Sequence, residues 1–177
     1  MSNPEEASQD WRDQVFDTIK RNDVRQVSYV PDAGHSRLIA RAHQDPGIAA
    51  YPLTTEEEGI ATCCGAWLGG QRSVLLMQSS GVGNCINMLS LVANCRFPLV
   101  MLVTMRGEWA EFNPWQVPMS RATQGSLELM GVSVRRVEDP MKAADEVQAA
   151  LDDAFLSDQA VAVLFTQRML GRKKWER

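Results

Sequence analysis

Three consecutive glutamates precede an apolar run of small residues in "YPLTTEEEGIATCCGAWLGG", residues 51–70. Such carboxylates can act as general acids or bases, or they can accept hydrogen bonds from the free backbone N–H groups that begin a helix. Thr55 followed three residues later by Glu58 fits a capping box, and acids in a first turn face the positive end of the helix dipole. Local pattern therefore predicts a helix from about Glu56 and favours a capping role. The small apolar residues behind the acids indicate that this helix end also points into a buried or interfacial place.

A glycine-containing segment, "QSSGVGN" (78–84), follows an apolar run and precedes a helical pattern. A dinucleotide-binding fold has G-x-G-x-x-G here. Gly81 and Gly83 fit that pattern, but Ile86 occupies the third glycine position. A Walker loop is excluded because the Gly-Lys-Ser/Thr ending is missing. The segment therefore predicts a tight turn at which backbone comes close to another group.

Composition and charge limit the function classes. The 177 residues suit one domain, and the net charge of -4 argues against a nucleic-acid footprint, which is normally basic. No apolar run reaches the length of a membrane span. Residues 1–8 are polar and acidic, unlike a secretory signal or a transit peptide, so we expect a cytoplasmic protein without a membrane partner. A basic tail is predicted for residues 168–177.

The four cysteines do not form a C-x-x-C pair, and only two histidines exist to join them. We therefore predict no metal site in this chain, and expect small buried thiols in a reducing compartment. The cysteines are Cys63, Cys64, Cys85 and Cys95.

Apolar runs alternate with helical patterns along the chain. This alternation predicts an α/β fold, an open and mostly parallel six-stranded sheet with helices on both faces. Strands are expected at 26–30, 48–53, 73–78, 99–104, 132–137 and 160–165. Helices are expected near 11–23, 36–45, 56–68, 84–95, 121–130 and 140–155. Ligands of such sheets bind beyond the carboxyl ends of the strands, and the loops containing the glutamates and the glycines leave those ends.

Together these segments resemble the pyrimidine-binding domain of thiamine diphosphate-dependent 2-oxoacid decarboxylases. The closest likeness is to the alpha subunit of sulfopyruvate decarboxylase and the first part of phosphonopyruvate decarboxylase. The matching text is "YVPDAGHSRLI", "TTEEEGIATCCGAWLGGQRSVLLMQSSGVGNCINML" and "RGEW…PWQVPMSRAT", within residues 12–165. The acid nine residues before Gly65 is Glu56, the position at which this family has its cofactor-activating glutamate.

The resemblance implies a role for Glu56. Its carboxyl would hydrogen-bond the aminopyrimidine ring and favour the imino tautomer, whose nitrogen removes a proton from the thiazolium carbon. Glu57 and Glu58 remain first-turn and surface acids. The pyrimidine half of the cofactor would also be lined by one continuous segment, mostly through backbone: Ser79, Ser80, Gly81, Val82, Gly83 and Asn84.

Complete enzymes of this family have a second domain, in which a G-D-G and a later Asn hold Mg²⁺ and the diphosphate. The chain has no G-D-G. We therefore expect residues 1–177 to form a single pyrimidine-binding domain, the alpha subunit of a split enzyme. A beta subunit would hold Mg²⁺ and the diphosphate half, and the two chains would form a hetero-oligomer with the cofactor at their interface.

Three residues are candidates for binding a small 2-oxoacid substrate. His35 lies in the first loop, with an exposed loop histidine as its alternative. Arg106 suits a sulfonate or phosphonate, with a structural salt bridge as its alternative. Gln116 resembles a glutamine in the equivalent loop of relatives. The aromatics of the loop 107–120, Trp109, Phe112 and Trp115, are expected at a partner interface, with packing in the core as their alternative.

Three functions remain open. The first is decarboxylation of 3-sulfopyruvate to sulfoacetaldehyde and CO₂. The second is the same chemistry on phosphonopyruvate or another small 2-oxoacid. The third is a non-catalytic pairing or regulatory subunit that keeps the fold and binds no cofactor.

Overall fold

The computed structural model describes residues 10–172, and these form a sheet of six parallel strands in the order β2-β1-β3-β4-β6-β5. The strands are β1 (Val24–Tyr29), β2 (Ala49–Pro52), β3 (Arg72–Gln78), β4 (Leu99–Thr104), β5 (Ser133–Val137) and β6 (Ala160–Phe165). All six were expected from the sequence, and the predicted fold class is confirmed. The central strands β3, β4 and β6 are buried almost throughout, which explains their continuous apolar sequences.

Helices cover both faces of the sheet. They are α1 (Trp11–Arg21), α2 (Ser36–Gln44), α3 (Glu56–Leu68), α4 (Ser79–Cys85), α5 (Leu89–Cys95), α6 (Gln116–Leu129), α7 (Ala143–Ser157) and α8 (Gln167–Leu170). One apolar core lies between the sheet and α1, α2 and α7. A second lies between the sheet and α3 to α6. In the described part of the chain, none of the helices combines the length and apolar character needed to cross a membrane.

The glycine segment differs from the prediction. The sequence suggested a turn at 79–83 and one helix from about 84, whereas α4 begins at Ser79 directly after β3 and is separated from α5 by a turn at 86–88. Glycine disfavours a helix interior by roughly 1 kcal/mol, which made a turn the expected structure. Packing of α4 against α3 and α6 outweighs that preference.

Helix α6 begins at Gln116, about five residues earlier than predicted. Pro118 lies within its first turn, where a proline is tolerated because its missing N–H would have no helical partner. The predicted tail also begins later than expected, because residues 167–170 form the short helix α8 and Gly171 and Arg172 are exposed. The rest of the predicted tail and residues 1–8 lie outside the described residues.

Three of the four cysteines are buried, and burial raises the pKa of Cys63 and of Cys85 to about 12. Cys95 is exposed, contrary to the expectation of buried thiols, because it ends α5 on the outer side of the second core.

Candidate functional site at the carboxyl edge of the sheet

The three glutamates have different environments. Glu56 is the first residue of α3 and is only 8% exposed, whereas Glu57 and Glu58 are exposed. The Glu58 Oε2 atom accepts hydrogen bonds from the backbone N–H of Thr54 (2.9 Å) and Thr55 (3.5 Å). Glu58 therefore caps the helix. Glu56 is turned inward, and a helix N-terminus favours its negative charge.

The inward carboxylate of Glu56 lies against α4. Asn84 Nδ2 donates a hydrogen bond of 2.8 Å to Glu56 Oε2. A Cβ atom added to Gly81 would overlap the Glu56 carboxyl group, including Oε1. The absence of a side chain at Gly81 therefore provides the space in which this carboxylate lies.

The other residues of the predicted cofactor segment fall into two groups. Ser79 and Val82 are fully buried, and Ser79 Oγ accepts a hydrogen bond from the Arg106 backbone N–H at 3.0 Å. Ser80 and Gly83 are exposed, as is Asn84. The exposed group, together with Glu56, forms the surface on which a flat ring could rest, and the buried group fixes α4 to the sheet.

Asp32, which the sequence analysis did not single out, joins three segments at this edge. Its carboxylate accepts hydrogen bonds from Gln78 Nε2 (2.9 Å), Thr104 Oγ1 (2.7 Å) and the Gly34 backbone N–H (2.9 Å). Burial alone would raise the pKa of Asp32, but the hydrogen bond from Thr104 and the other donors outweigh it and lower the pKa below its usual value. Asp32 thus ties the loop after β1 to the ends of β3 and β4.

His35 is in the protein interior, with 2% of its surface exposed. Its Nε2–H donates to the Leu102 carbonyl at 3.0 Å, and its ring packs edge-on against Phe165. Burial lowers the pKa of His35, which favours the neutral imidazole. The alternative, an exposed loop histidine, does not match this buried position, because the loop after β1 folds back over the sheet.

Arg106 is held by an acid that sequence reasoning missed. Its Nε and Nη2 atoms donate to Glu111 at 2.8 and 2.6 Å, and the two side chains are 10% and 4% exposed. Glu111 also accepts from the backbone N–H of Gly107 and Asn113. Burial opposes ionisation of Glu111, but the Arg106 hydrogen bonds and these backbone donors outweigh it and lower its pKa to about 2. The structure thus places Arg106 in the salt bridge that was the alternative to a substrate contact.

Gln167 fixes the same loop to the end of β6. Its Oε1 accepts from the backbone N–H of Glu108 and Trp109, both at 2.9 Å, and its Nε2 donates to Glu111 at 2.9 Å. Gln167 follows the last strand after Thr166 and is 2% exposed. The only feature of the sequence that could have pointed to Gln167 is a polar residue close to the end of a buried strand.

The loop between β4 and α6 turns sharply at Gly107. This residue has a φ of 75°, and a Cβ there would lie 2.7 Å from the Gln116 carbonyl oxygen. Gln116 begins α6, and its Oε1 atom is buried without a hydrogen-bond partner among the described residues. Trp115 is 80% exposed and Phe112 is 42% exposed.

A cavity of about 380 Å³ opens beside this edge, lined by Arg12, Asp32, Arg106 and Gln167 among others. Among the described residues that line it, neither Glu56 nor any residue of α4 occurs. The Glu56 surface is therefore an open corner of the chain, separate from the cavity.

Known proteins resemble this chain over most of its length. It is 33% identical to the sulfopyruvate decarboxylase subunit alpha of Methanothermobacter thermautotrophicus over 88% of this chain and 94% of that protein. It is 34% identical to the subunit of the same name from Methanococcus maripaludis over 85% of this chain and 90% of that protein. A phosphonopyruvate decarboxylase of Streptomyces viridochromogenes is 35% identical over 72% of this chain but only 32% of its own length.

Among solved structures, a 2-oxoglutarate:ferredoxin oxidoreductase of Magnetococcus marinus superposes with a TM-score of 0.74. The superposition covers 92% of this chain and 29% of that chain at 20% identity, and it supports the fold alone. No protein-family model matches the sequence.

Proposed function

Because the chain belongs to the family of sulfopyruvate decarboxylase alpha subunits, we propose that it is the pyrimidine-binding subunit of a split thiamine diphosphate-dependent decarboxylase. The proposed reaction converts 3-sulfopyruvate to sulfoacetaldehyde and CO₂. Residues 1–177 form the single pyrimidine-binding domain of this enzyme.

The observation that carries the proposal is the position of Glu56. It is the only one of the three glutamates that is buried, and its carboxylate lies over the space left by Gly81. Only Oε2 accepts a hydrogen bond within the described residues, so Oε1 is available to an external donor. A carboxylate with one free oxygen and an adjoining exposed strip of α4 fits an aminopyrimidine ring.

When bound, thiamine diphosphate supplies the centre that accepts the electrons of the breaking carbon–carbon bond. Glu56 would share a proton with the pyrimidine nitrogen through its carboxyl oxygen, and the apolar residues behind Glu56 would keep water from that side of the hydrogen bond. Ser80, Gly83 and Asn84 line the ring from α4, and buried Ser79, Gly81 and Val82 keep α4 in place.

Gln116 is the substrate-facing residue in this proposal, because its buried Oε1 lacks a partner among the described residues. In this proposal His35 and Arg106 support the fold of this edge, since His35 donates to the Leu102 carbonyl and Arg106 Nε and Nη2 donate to Glu111. The acid group of the substrate is then recognised in part by the partner chain.

The partner is a beta subunit that holds Mg²⁺ and the diphosphate half, and the enzyme is a hetero-oligomer of the two chains. The name "subunit alpha" of the relatives supports this arrangement. The exposed rings of Phe112 and Trp115 are the proposed contacts with that partner. A sulfopyruvate decarboxylase of Methanosarcina acetivorans is 31% identical to this chain, and the match covers only 32% of that protein. A longer relative of which this chain matches one part supports the proposal that the enzyme is split between two chains.

Two alternatives are tested by the same experiment. Phosphonopyruvate is the competing substrate, because decarboxylases of that name also match. A non-catalytic pairing subunit is the other alternative, and the retained Glu56, Gly81 and Asn84 argue against it.

The test is to co-purify the chain with its partner and to measure CO₂ release from a panel of 2-oxoacids with thiamine diphosphate and Mg²⁺. We expect 3-sulfopyruvate to be the best substrate and chelation of Mg²⁺ to abolish turnover. The isolated chain should be inactive and should bind the cofactor weakly in calorimetry. Tight, Mg²⁺-dependent cofactor binding by the isolated chain would contradict the split-enzyme proposal.

A further inference from the structure

The Glu56 carboxylate is constrained from two sides by one helix. Asn84 donates to Oε2 at 2.8 Å, and Gly81 leaves the volume that Oε1 and the carboxyl carbon fill. The two residues are three apart in α4, so they lie on the same face of that helix, the face turned toward α3.

The hydrogen bond has a defined direction. An ionised carboxylate only accepts hydrogen bonds, so the Asn84 amide must present its NH₂ group and turn its oxygen away. Oε2 is occupied by this donor, whereas Oε1 lies beside Gly81 and has no hydrogen-bond donor among the described residues. The two oxygens of Glu56 are therefore unequal before any ligand binds.

We propose that Asn84 and Gly81 are positioning residues for Glu56, which hold Oε2 so that Oε1 is the oxygen that shares the proton with the cofactor ring. This inference rests on the proposed function of Glu56. It changes the role of Asn84, which the sequence placed among the residues lining the cofactor through backbone. Its side chain now acts on the cofactor through Glu56.

The contact itself can be tested on the full chain without any activity. In a ¹⁵N-labelled sample, Glu56→Gln should displace the side-chain amide signals of Asn84 and leave those of exposed Asn87, in the turn after α4, nearly in place. Asn84 signals that do not respond would overturn the proposed contact.

The functional consequence is tested in the complex with the partner subunit. Asn84→Asp keeps the shape of the side chain and replaces the donor with an acceptor. We expect kcat to fall about 10-fold or more, since a hydrogen bond to a charged group is lost, and the KM of the 2-oxoacid to be unchanged. Asn87→Asp adds the same charge nearby and should behave as wild type.

A fall in kcat that is equal for the two aspartate variants would mean that added charge, and not the lost donor, is responsible. A raised KM with unchanged kcat would assign Asn84 to binding. Either result would overturn the positioning role.

Gly81→Ala tests whether the space left by Gly81 is needed to hold the Glu56 carboxyl group in position. The new methyl group meets the end of a flexible side chain, so Glu56 should move while the backbone stays in place. The variant should unfold near the wild-type temperature but lose turnover. When it is combined with Glu56→Gln, the turnover number should not fall below that of Glu56→Gln alone. An additive loss in the double variant would show that Gly81 acts independently of Glu56.

The proposed function of Glu56 and the positioning role of Asn84 and Gly81 can be contradicted separately. If Glu56→Gln retains wild-type turnover, the proposed function of Glu56 is wrong, whatever the NMR signals show. If Glu56→Gln abolishes turnover while Asn84→Asp and Gly81→Ala do not reduce it, only the positioning role is wrong.

Discussion

Two carboxylates at the same edge of the sheet have contrasting surroundings. Glu111 accepts five hydrogen bonds, two from Arg106, one from Gln167 and two from backbone N–H groups. Within residues 10–172, Glu56 accepts one, from Asn84. Both side chains are almost entirely buried. A buried acid whose acceptor sites are filled stabilises structure, whereas one with a free oxygen can still exchange a proton with a ligand.

The same contrast separates the two charged residues that the sequence offered as site candidates. Arg106 has the residue type expected for an acidic substrate, but its charge is matched by Glu111 within the chain. Arg106 was predicted from its residue type and its position at a strand end, whereas Glu56 was predicted from the family resemblance. Glu56 and Arg106 differ in how far partners within the chain occupy their charged groups.

The largest expected effect on stability concerns Glu111. Glu111→Ala leaves the Arg106 guanidinium buried without its acid, which typically costs about 3–5 kcal/mol. Urea unfolding of the full chain measures this loss. Glu128→Ala is the matched control, since Glu128 is exposed and accepts only the Gln124 side-chain amide at 2.8 Å, and it should change stability by less than about 0.5 kcal/mol. Equal losses would mean that the Arg106–Glu111 pair contributes nothing particular.

A smaller effect is expected for Arg106→Lys. An ammonium keeps the charge but cannot make both contacts of the guanidinium fork, so we expect a loss of about 1.5–3 kcal/mol in stability. In the assembled enzyme, kcat/KM should then change by the same factor for 3-sulfopyruvate and for pyruvate, which lacks the sulfonate. A loss confined to the sulfonated substrate would restore Arg106 as a substrate contact.

A third effect, which appears only on acidification, is the pH dependence of the Glu111 contribution. Its pKa is lowered from 4.5 to about 2 in the folded chain, so its stabilisation is complete above about pH 4.5 and is lost as the pH falls toward 2. The stability difference between wild type and Glu111→Gln, measured by urea unfolding across this range, should therefore shrink on acidification. A difference that stays constant would show that ionisation of Glu111 is not what stabilises the loop.

Much of the fold could be predicted from the sequence, because buried parallel strands are continuous apolar runs and α3 begins at its capping residues. Family membership was also predictable and is confirmed by the relatives. The helix at Ser79 was missed, since local propensity treats two glycines as a turn, whereas here the missing side chain of Gly81 admits Glu56. Asp32 and Gln167 were missed because most of their partners are far away in sequence and only the folded sheet edge brings them together. Glu111 was missed although Arg106 is only five residues away, because the loop between them has no regular pattern that predicts the pairing.

The central claim is that Glu56, and not its neighbours, does the chemistry at this edge. The most direct measurement is the turnover number of the assembled enzyme with Glu56→Gln, compared with Glu57→Gln as the exposed neighbour one residue away. The Glu56 variant should lose about 10²- to 10⁴-fold, the usual contribution of a general acid–base group, and should fold normally. The Glu57 variant should retain nearly all activity. Equal turnover numbers in the two variants would contradict the catalytic role of Glu56.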